Sequence, residues 1–157
     1  VIVSLIIFII SLEHKKNKNI NISEKYNKAK ILIENKSKQE ALKILEKLVF
    51  EENSFYSPSA LNLIVDNDLI KDKEKVISYY DEIISSSKLD EETKNLFIFK
   101  KVIFIGDDIK ENDLLSYLKP IIKSDSLWKN SMLDYIKKFY LAKGEFNKAK
   151  EFEISQK

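Results

Sequence analysis

Four small or apolar residues, Ala41, Val76, Leu114 and Ala149, follow one another at intervals of 35, 38 and 35 positions. The surroundings of each are alike. Twelve positions before them lie Ala29, Ile64, Val102 and Lys137, and four and seven positions after the first three lie Leu45 and Leu48, Tyr80 and Ile83, Leu118 and Ile121. Apolar residues three and four apart share one face of a helix. A chain with this recurrence is constrained to form helical pairs, none of which can hide its apolar stripe alone, so that stacking of neighbours supplies the core.

The last unit shows the pattern most plainly. Trp128, Met132, Tyr135, Ile136, Phe139 and Tyr140 make an amphipathic stripe over 127–142. Lys143 suits the final turn of that helix, Gly144 can take the left-handed backbone that ends it, and Phe146, Ala149 and Phe152 begin the next. At the matched positions Lys137, Glu153 and Gln156 the stripe turns polar, as the outer end of a stack requires.

The first unit runs from Ile22 to about Asn53, with a glycine-free turn near 36–38. In the loop 51–59, Pro58 suits the first helical position after Ser57, and Phe55 and Tyr56 are expected to pack beneath it as a staple. The second unit extends from Pro58 to about Ser87. In the third, Asp90 is placed to cap a helix, with Glu91 and Glu92 in its first turn. Leu96 to Ile105 is aromatic and branched enough to pass for a strand, yet no other strand-like run exists to pair with it. It reads as a helix, apolar nearly all round and therefore the most buried one. Gly106, Asp107 and Asp108 form the turn after it, and Pro120 is expected to kink or end the following helix.

At the other end, VIVSLIIFIISL is apolar except for Ser4 and Ser11. Twelve residues are fewer than the ~20 a helix needs to span hydrocarbon, and the chain starts without methionine. Residues 1–12 are thus read as the C-terminal part of a transmembrane anchor, in preference to a signal-peptide core, which lacks an A-x-A site, or a solenoid helix, which needs a wet side. Residues 13–21, EHKKNKNIN, read as a polar linker and 22–157 as the helical repeat domain. Lysines 15, 16 and 18 beside the apolar run favour a cytoplasmic domain by the positive-inside tendency.

Several chemistries lack their residues. All 27 basic residues are lysines, so the planar fork that reads guanine edges or clamps phosphate is missing, and nucleic acid is not an expected partner. The absence of cysteine removes disulfides, thiol catalysis and thiolate metal sites. His14, the single histidine, reads as a solvated linker residue. Asp66, Asn67 and Asp68 lack the later glycine and glutamate of a calcium hand, and Gly106 lacks the second glycine and Lys-Ser/Thr of a phosphate loop. No catalytic constellation, cofactor site or metal site is expected.

A period near 34 with paired helices resembles the tetratricopeptide pattern. More specifically, Leu118, Pro120, Trp128, Gly144, Glu145 and Ala149, with the stretches 59–84 and 89–104, are similar to the tetratricopeptide-like domain of bacterial membrane-anchored proteins related to the ancillary subunit of the Sec translocon. The resemblance implies an all-α superhelix, a solenoid of about four helix pairs after a single transmembrane helix. It also implies a repeat domain outside the cytoplasmic membrane, opposite to the side the lysines favour. The function implied is a non-catalytic, membrane-tethered interaction module near the secretion machinery, with translocon subunits or exported chains as partners. By analogy with other solenoids, the first helices line the protein-binding groove, at Tyr26, Lys30, Val65, Phe99, Ile103 and Lys138. The alternative is a structural or oligomerisation domain of a cell-envelope or division assembly.

Overall fold

Each first helix of a pair must stop and reverse, and a residue with left-handed backbone stands at every such reversal. Lys36 has φ 62°, Asp68 50°, Gly106 66° and Gly144 74°. At three of them the hydrogen bonds are those of a Schellman motif. Ser37 N–H donates to Leu32 C=O (2.8 Å) and Lys36 N–H to Ile33 C=O (2.9 Å), and the same pair recurs as Leu69 to Ile64 with Asp68 to Val65, and as Glu145 to Tyr140 with Gly144 to Leu141. These bonds satisfy carbonyls that the end of a helix would otherwise leave open. The glycine-free turn near 36–38 therefore uses a lysine in a conformation that costs an L-residue roughly 1–2 kcal/mol.

The computed structural model describes residues 2–152, and Glu153 and Gln156 lie outside them. Among the described residues every regular element is helical: α1 (Ile2–Glu34), α2 (Lys38–Val49), α3 (Tyr56–Asp66), α4 (Lys73–Ser85), α5 (Glu91–Ile105), a 3-10 turn (Gly106–Asp108), α6 (Glu111–Ile122), α7 (Lys129–Ala142) and α8 (Phe146–Glu151). The chain divides into two compact units, one ending at Ile83 and the other beginning at Ile84. In the first unit α1 packs on α2 and α2 on α3, and in the second α5 packs on α6, α6 on α7 and α7 on α8, an all-helical arrangement compatible with an α-solenoid.

In the first unit α2 packs on α1 and α3 packs on both. Ala29, Ala41 and Ala60, one on each helix, are wholly buried, and their small side chains let the backbones approach closely. Leu45, Leu48, Leu61 and Ile64 fill the space around them. The second unit is built on α6 and α7. Leu114, Leu118 and Ile121 from one and Met132, Ile136 and Tyr140 from the other share a core with Val102 of α5 and Ala149 of α8. All four anchors of the repeat, Ala41, Val76, Leu114 and Ala149, are buried.

Several sequence expectations need correction. The stretch 13–21, expected as a linker, is helix, continuous with the apolar run before it and the first hairpin after it. No glycine occurs before Gly106 and no proline before Pro58, so nothing interrupts the backbone ladder. No helix among the described residues is long and apolar enough to cross a membrane. The apolar run ends at Leu12, before Glu13. The side chain of His14 lies outside the described side chains.

Helix α3 starts earlier than Pro58. Asn53 Oδ1 accepts from Phe55 N–H (3.0 Å) and Tyr56 N–H (2.9 Å) and so caps the helix, leaving Pro58 third, still within the turn whose N–H groups have no intrahelical acceptor. Helix α5 is not the most buried helix: Ile103 is 49% exposed while the charged Lys101 is 5% exposed. Lys101 reaches the Tyr117 hydroxyl at 3.3 Å with its ammonium 4.8 Å from the ring centre, a cation-π contact that lets a lysine occupy an inward position. Pro120 neither ends α6 nor precedes its stop directly, since the helix continues to Ile122. Trp128 stands at the N-cap position, just before α7, and packs against the core to which the stripe residues Met132, Ile136 and Tyr140 belong.

The left-handed reversals generate a paired prediction. A Cβ at Gly144 would meet no atom within 4 Å, so any cost of Gly144→Ala is backbone strain, expected at about 1 kcal/mol. Lys36→Gly should be neutral to stabilising by up to about 1 kcal/mol, relief of strain being partly offset by the freer unfolded chain. Urea denaturation measures both. Equal effects of the same sign would rule out the left-handed turn as their cause.

Candidate interaction surface

At the start of α1 large apolar side chains stand exposed. Ile6, Ile7, Ile10 and Leu12 are all exposed, Ile7 by 62%, and the first buried residue among those described is Ile22. Isoleucines left in water on a helix that carries no charged side chain before Glu13 are atypical of a protein surface unless something covers them. Beside the middle of α1 the loop between α2 and α3 folds against the helix. Asn53 Nδ2 donates to Asn19 Oδ1 (3.2 Å) and Lys18 pairs with Glu51 (3.2 Å). Between helix and loop lies an open groove of about 650 Å³ lined by Leu12, Lys16, Asn19, Ile20 and Ser23 on one side and by residues 53–56 on the other.

The expected staple divides in two. Tyr56 packs inward, its ring 5.4 Å from that of Tyr26, and burial together with the neighbouring Tyr56 and Asp66 raises the Tyr26 hydroxyl above its ordinary value. Phe55 instead stands 65% exposed at the edge of the groove. Neither Phe55 nor Lys16 was among the residues selected from sequence. An aromatic in a polar loop was the available signal, but the contact between that loop and α1 depends on the return of α2.

The six residues selected from sequence fall in both units. In the first, Tyr26 is half-buried against α3, Lys30 is exposed one turn further along α1, and Val65 is half-buried on α3. In the second, Phe99 is half-buried and meets Tyr135 edge-on at 5.7 Å, Ile103 is exposed one turn beyond it, and Lys138 is exposed and pairs with Asp134 at 2.7 Å. Tyr26 and Phe99 thus serve packing between first helices. Lys30, Ile103 and Lys138 are the members available to a partner.

The polar clusters of the second unit hold its helices together. Asp90 accepts from Thr93 N–H (2.9 Å) and caps α5, which keeps its carboxyl below the usual range, the Thr93 hydroxyl bond contributing most. Two residues on, the Glu92 carboxylate accepts from the Ser126 hydroxyl and from Leu127 N–H, both at 3.0 Å, while its backbone carbonyl accepts from Trp128 Nε1 at 3.2 Å. The start of α7 is thereby latched to the first turn of α5. At the other end Glu111 accepts from the Tyr140 hydroxyl (3.0 Å) and from Lys148 (2.8 Å). Burial first, and the bond to Glu111 second, push the Tyr140 hydroxyl up to about 12. Glu46 of the first unit has a similar arrangement, accepting from Tyr79 (2.9 Å) and pairing with Lys75 (2.7 Å).

The acidic turn at 66–68 is occupied internally, Asn67 Nδ2 donating to Leu63 C=O at 2.9 Å and Asp68 pairing with Lys71. Among the described residues no group of acidic or histidine side chains is arranged to hold a metal ion. Compared with known proteins, the chain matches no family model, and no curated protein or solved structure matches it at a significant level.

The Glu111 cluster sets a pH dependence. Lys148 chiefly, then Tyr140, holds the Glu111 carboxyl below its ordinary value of 4.5. A carboxyl lowered on folding contributes stability that is fully present above its unfolded value and lost as pH falls through the folded one. Docking of α8 should therefore be constant above the ordinary carboxylate range and weaken progressively below it. Hydrogen exchange of amides 146–152 measures this, and Glu111→Gln should abolish much of the acid response. An unchanged response in that variant would remove Glu111 as its source.

Proposed function

We propose that this chain is a membrane-tethered, non-catalytic protein-interaction module of tetratricopeptide-like type, working beside the protein-secretion machinery on translocon subunits or exported chains. One observation carries the tether: the start of α1 is apolar in sequence except for Ser4 and Ser11, exposes Ile6, Ile7, Ile10 and Leu12, and is one continuous helix with the first helical hairpin. An all-apolar helix is stable in hydrocarbon, where its backbone bonds are already satisfied internally. Helical pairs, with Lys30 and Lys138 exposed on their first helices, support the interaction role. The association with secretion rests on the series Leu118, Pro120, Trp128, Gly144, Glu145 and Ala149 alone. The resemblance favours an exported domain and the lysines at 15, 16 and 18 a cytoplasmic one.

Flotation of the chain with phospholipid vesicles tests the tether. Ile7→Lys places a charge in the apolar run and should weaken partitioning roughly 100-fold, the equivalent of about 3 kcal/mol. Partitioning unaffected by Ile7→Lys, or a stable dimer by light scattering with no vesicle binding, would favour an oligomerisation domain. Crosslinking from Lys30 and Lys138 in native membranes tests the partner class. A lack of adducts to translocon subunits or exported chains would count against the secretion role.

A further inference from the structure

Helix α8 is held by little apolar contact. It has six residues, Phe146–Glu151, of which Ala149 is buried while Phe146 stands 64% exposed. Isolated helices need roughly 12–15 residues to be even marginally stable in water, so α8 is helical because it is docked. A small set of contacts docks it. Lys148 Nζ lies 2.8 and 3.0 Å from the two Glu111 carboxylate oxygens and 5.4 Å from the centre of the Tyr140 ring. Phe152 stacks on the same ring at 5.7 Å, and Ala149 enters the core that Leu114 and Tyr140 share.

On the α6 and α7 side these contacts define a seat. Glu111 supplies a carboxylate held by the Tyr140 hydroxyl at 3.0 Å, Tyr140 supplies an aromatic ring, and the core position beside them is filled by a single methyl group, that of Ala149. Tyr140 is 1% exposed, and two of the groups that shield its ring, Lys148 and Phe152, belong to the segment after Gly144. That segment joins α7 through Gly144, at φ 74°, where an added Cβ would meet no atom within 4 Å. Glycine gives the chain freedom to swing there, and an element with few buried apolar contacts opens locally while the rest of its unit stays folded.

We propose that α8 is a displaceable strap over a binding seat on α6 and α7, and that the seat takes a segment of a partner protein with the chemistry of α8 itself: a cation, a small residue next to it and an aromatic residue three positions further on, as in Lys148, Ala149 and Phe152. In the closed chain the strap is joined by a short turn and competes at an effective concentration in the millimolar range. Partner affinity is therefore reduced by the fraction of chains whose strap is open. The seat belongs to the second unit alone and is independent of the membrane tether.

The absence of native cysteine makes the test direct. In the full chain, Ala149→Cys and, separately, Met132→Cys report opening of the strap and of the core by their rates of reaction with a thiol reagent. Position 149 should react roughly 100-fold faster than 132. Adding Lys148→Glu, which sets a carboxylate against Glu111, should speed position 149 by a further factor of roughly ten and leave 132 unchanged. A peptide of residues 145–152 at millimolar concentration should raise the rate at position 149 saturably by holding the seat, and the same peptide carrying Lys148→Glu should not. Equal rates at 149 and 132 would overturn the strap. A rate at 149 unaffected by the peptide, or raised equally by both peptides, would overturn the seat. Should Ala149→Cys disturb folding, hydrogen exchange in the unaltered chain decides: amides 146–152 should exchange roughly 100-fold faster than 132–142, and faster still with the first peptide. Protection equal to that of α7 overturns the strap, and exchange that the peptide leaves unchanged overturns the seat.

Discussion

Reversal of the chain after each first helix is the constraint on which the remaining structure depends. A helix hairpin brings two apolar stripes face to face only if the turn between them is short and its carbonyls are satisfied, and a left-handed residue accomplishes both. Gly106 and Gly144 do so without steric conflict, whereas Lys36 and Asp68 do so against their intrinsic preference. That a lysine adopts this conformation indicates how much the packing of Ala29, Ala41 and Leu45 determines locally. Lengthening the turn would move Ala41 out of register with α1.

Once the hairpins form, glutamates fix how successive helices meet. Glu46 and Glu111 bind groups from helices later in the chain, and Glu92 binds the segment that leads into α7. Apolar contact between helices is nondirectional and tolerates sliding, while a carboxylate that must accept from two donors does not. Glu92 is the most specific of these, since hydroxyl, amide and indole donors meet one residue of the first turn of α5. The tyrosines that join the other two carry their rings into the core and their hydroxyls to the rim, so each connects the apolar and polar layers of its unit.

Helix α1 belongs to two environments. From Ile22 onward it is an ordinary member of a hairpin, with Ile22 and Ala29 buried. Before that Ile6, Ile7, Ile10 and Leu12 are exposed, followed by Lys16, Asn17, Lys18 and Asn19. Continuity of the helix matters mechanically, because a flexible linker would transmit no orientation to the hairpin.

Much of the fold was legible in the sequence because helix packing follows a period that can be counted. The anchors Ala41, Val76, Leu114 and Ala149, the Asp90 cap and the Gly144 stop depend on spacing and local backbone preference, and those are properties of a short stretch of chain. The continuity of α1 through 13–21 is not legible in composition, because its polar residues suit a linker and only the absence of any helix breaker points to a helix. Tertiary structure alone decided the inward turn of Lys101, the exposure of Ile103 and Phe55, the latch on Glu92, and the groove opposite Lys16. Each of these joins residues far apart in sequence, or depends on which side of a helix its neighbours leave open. Local periodicity specifies that a face is apolar; only the path of the chain determines what covers it.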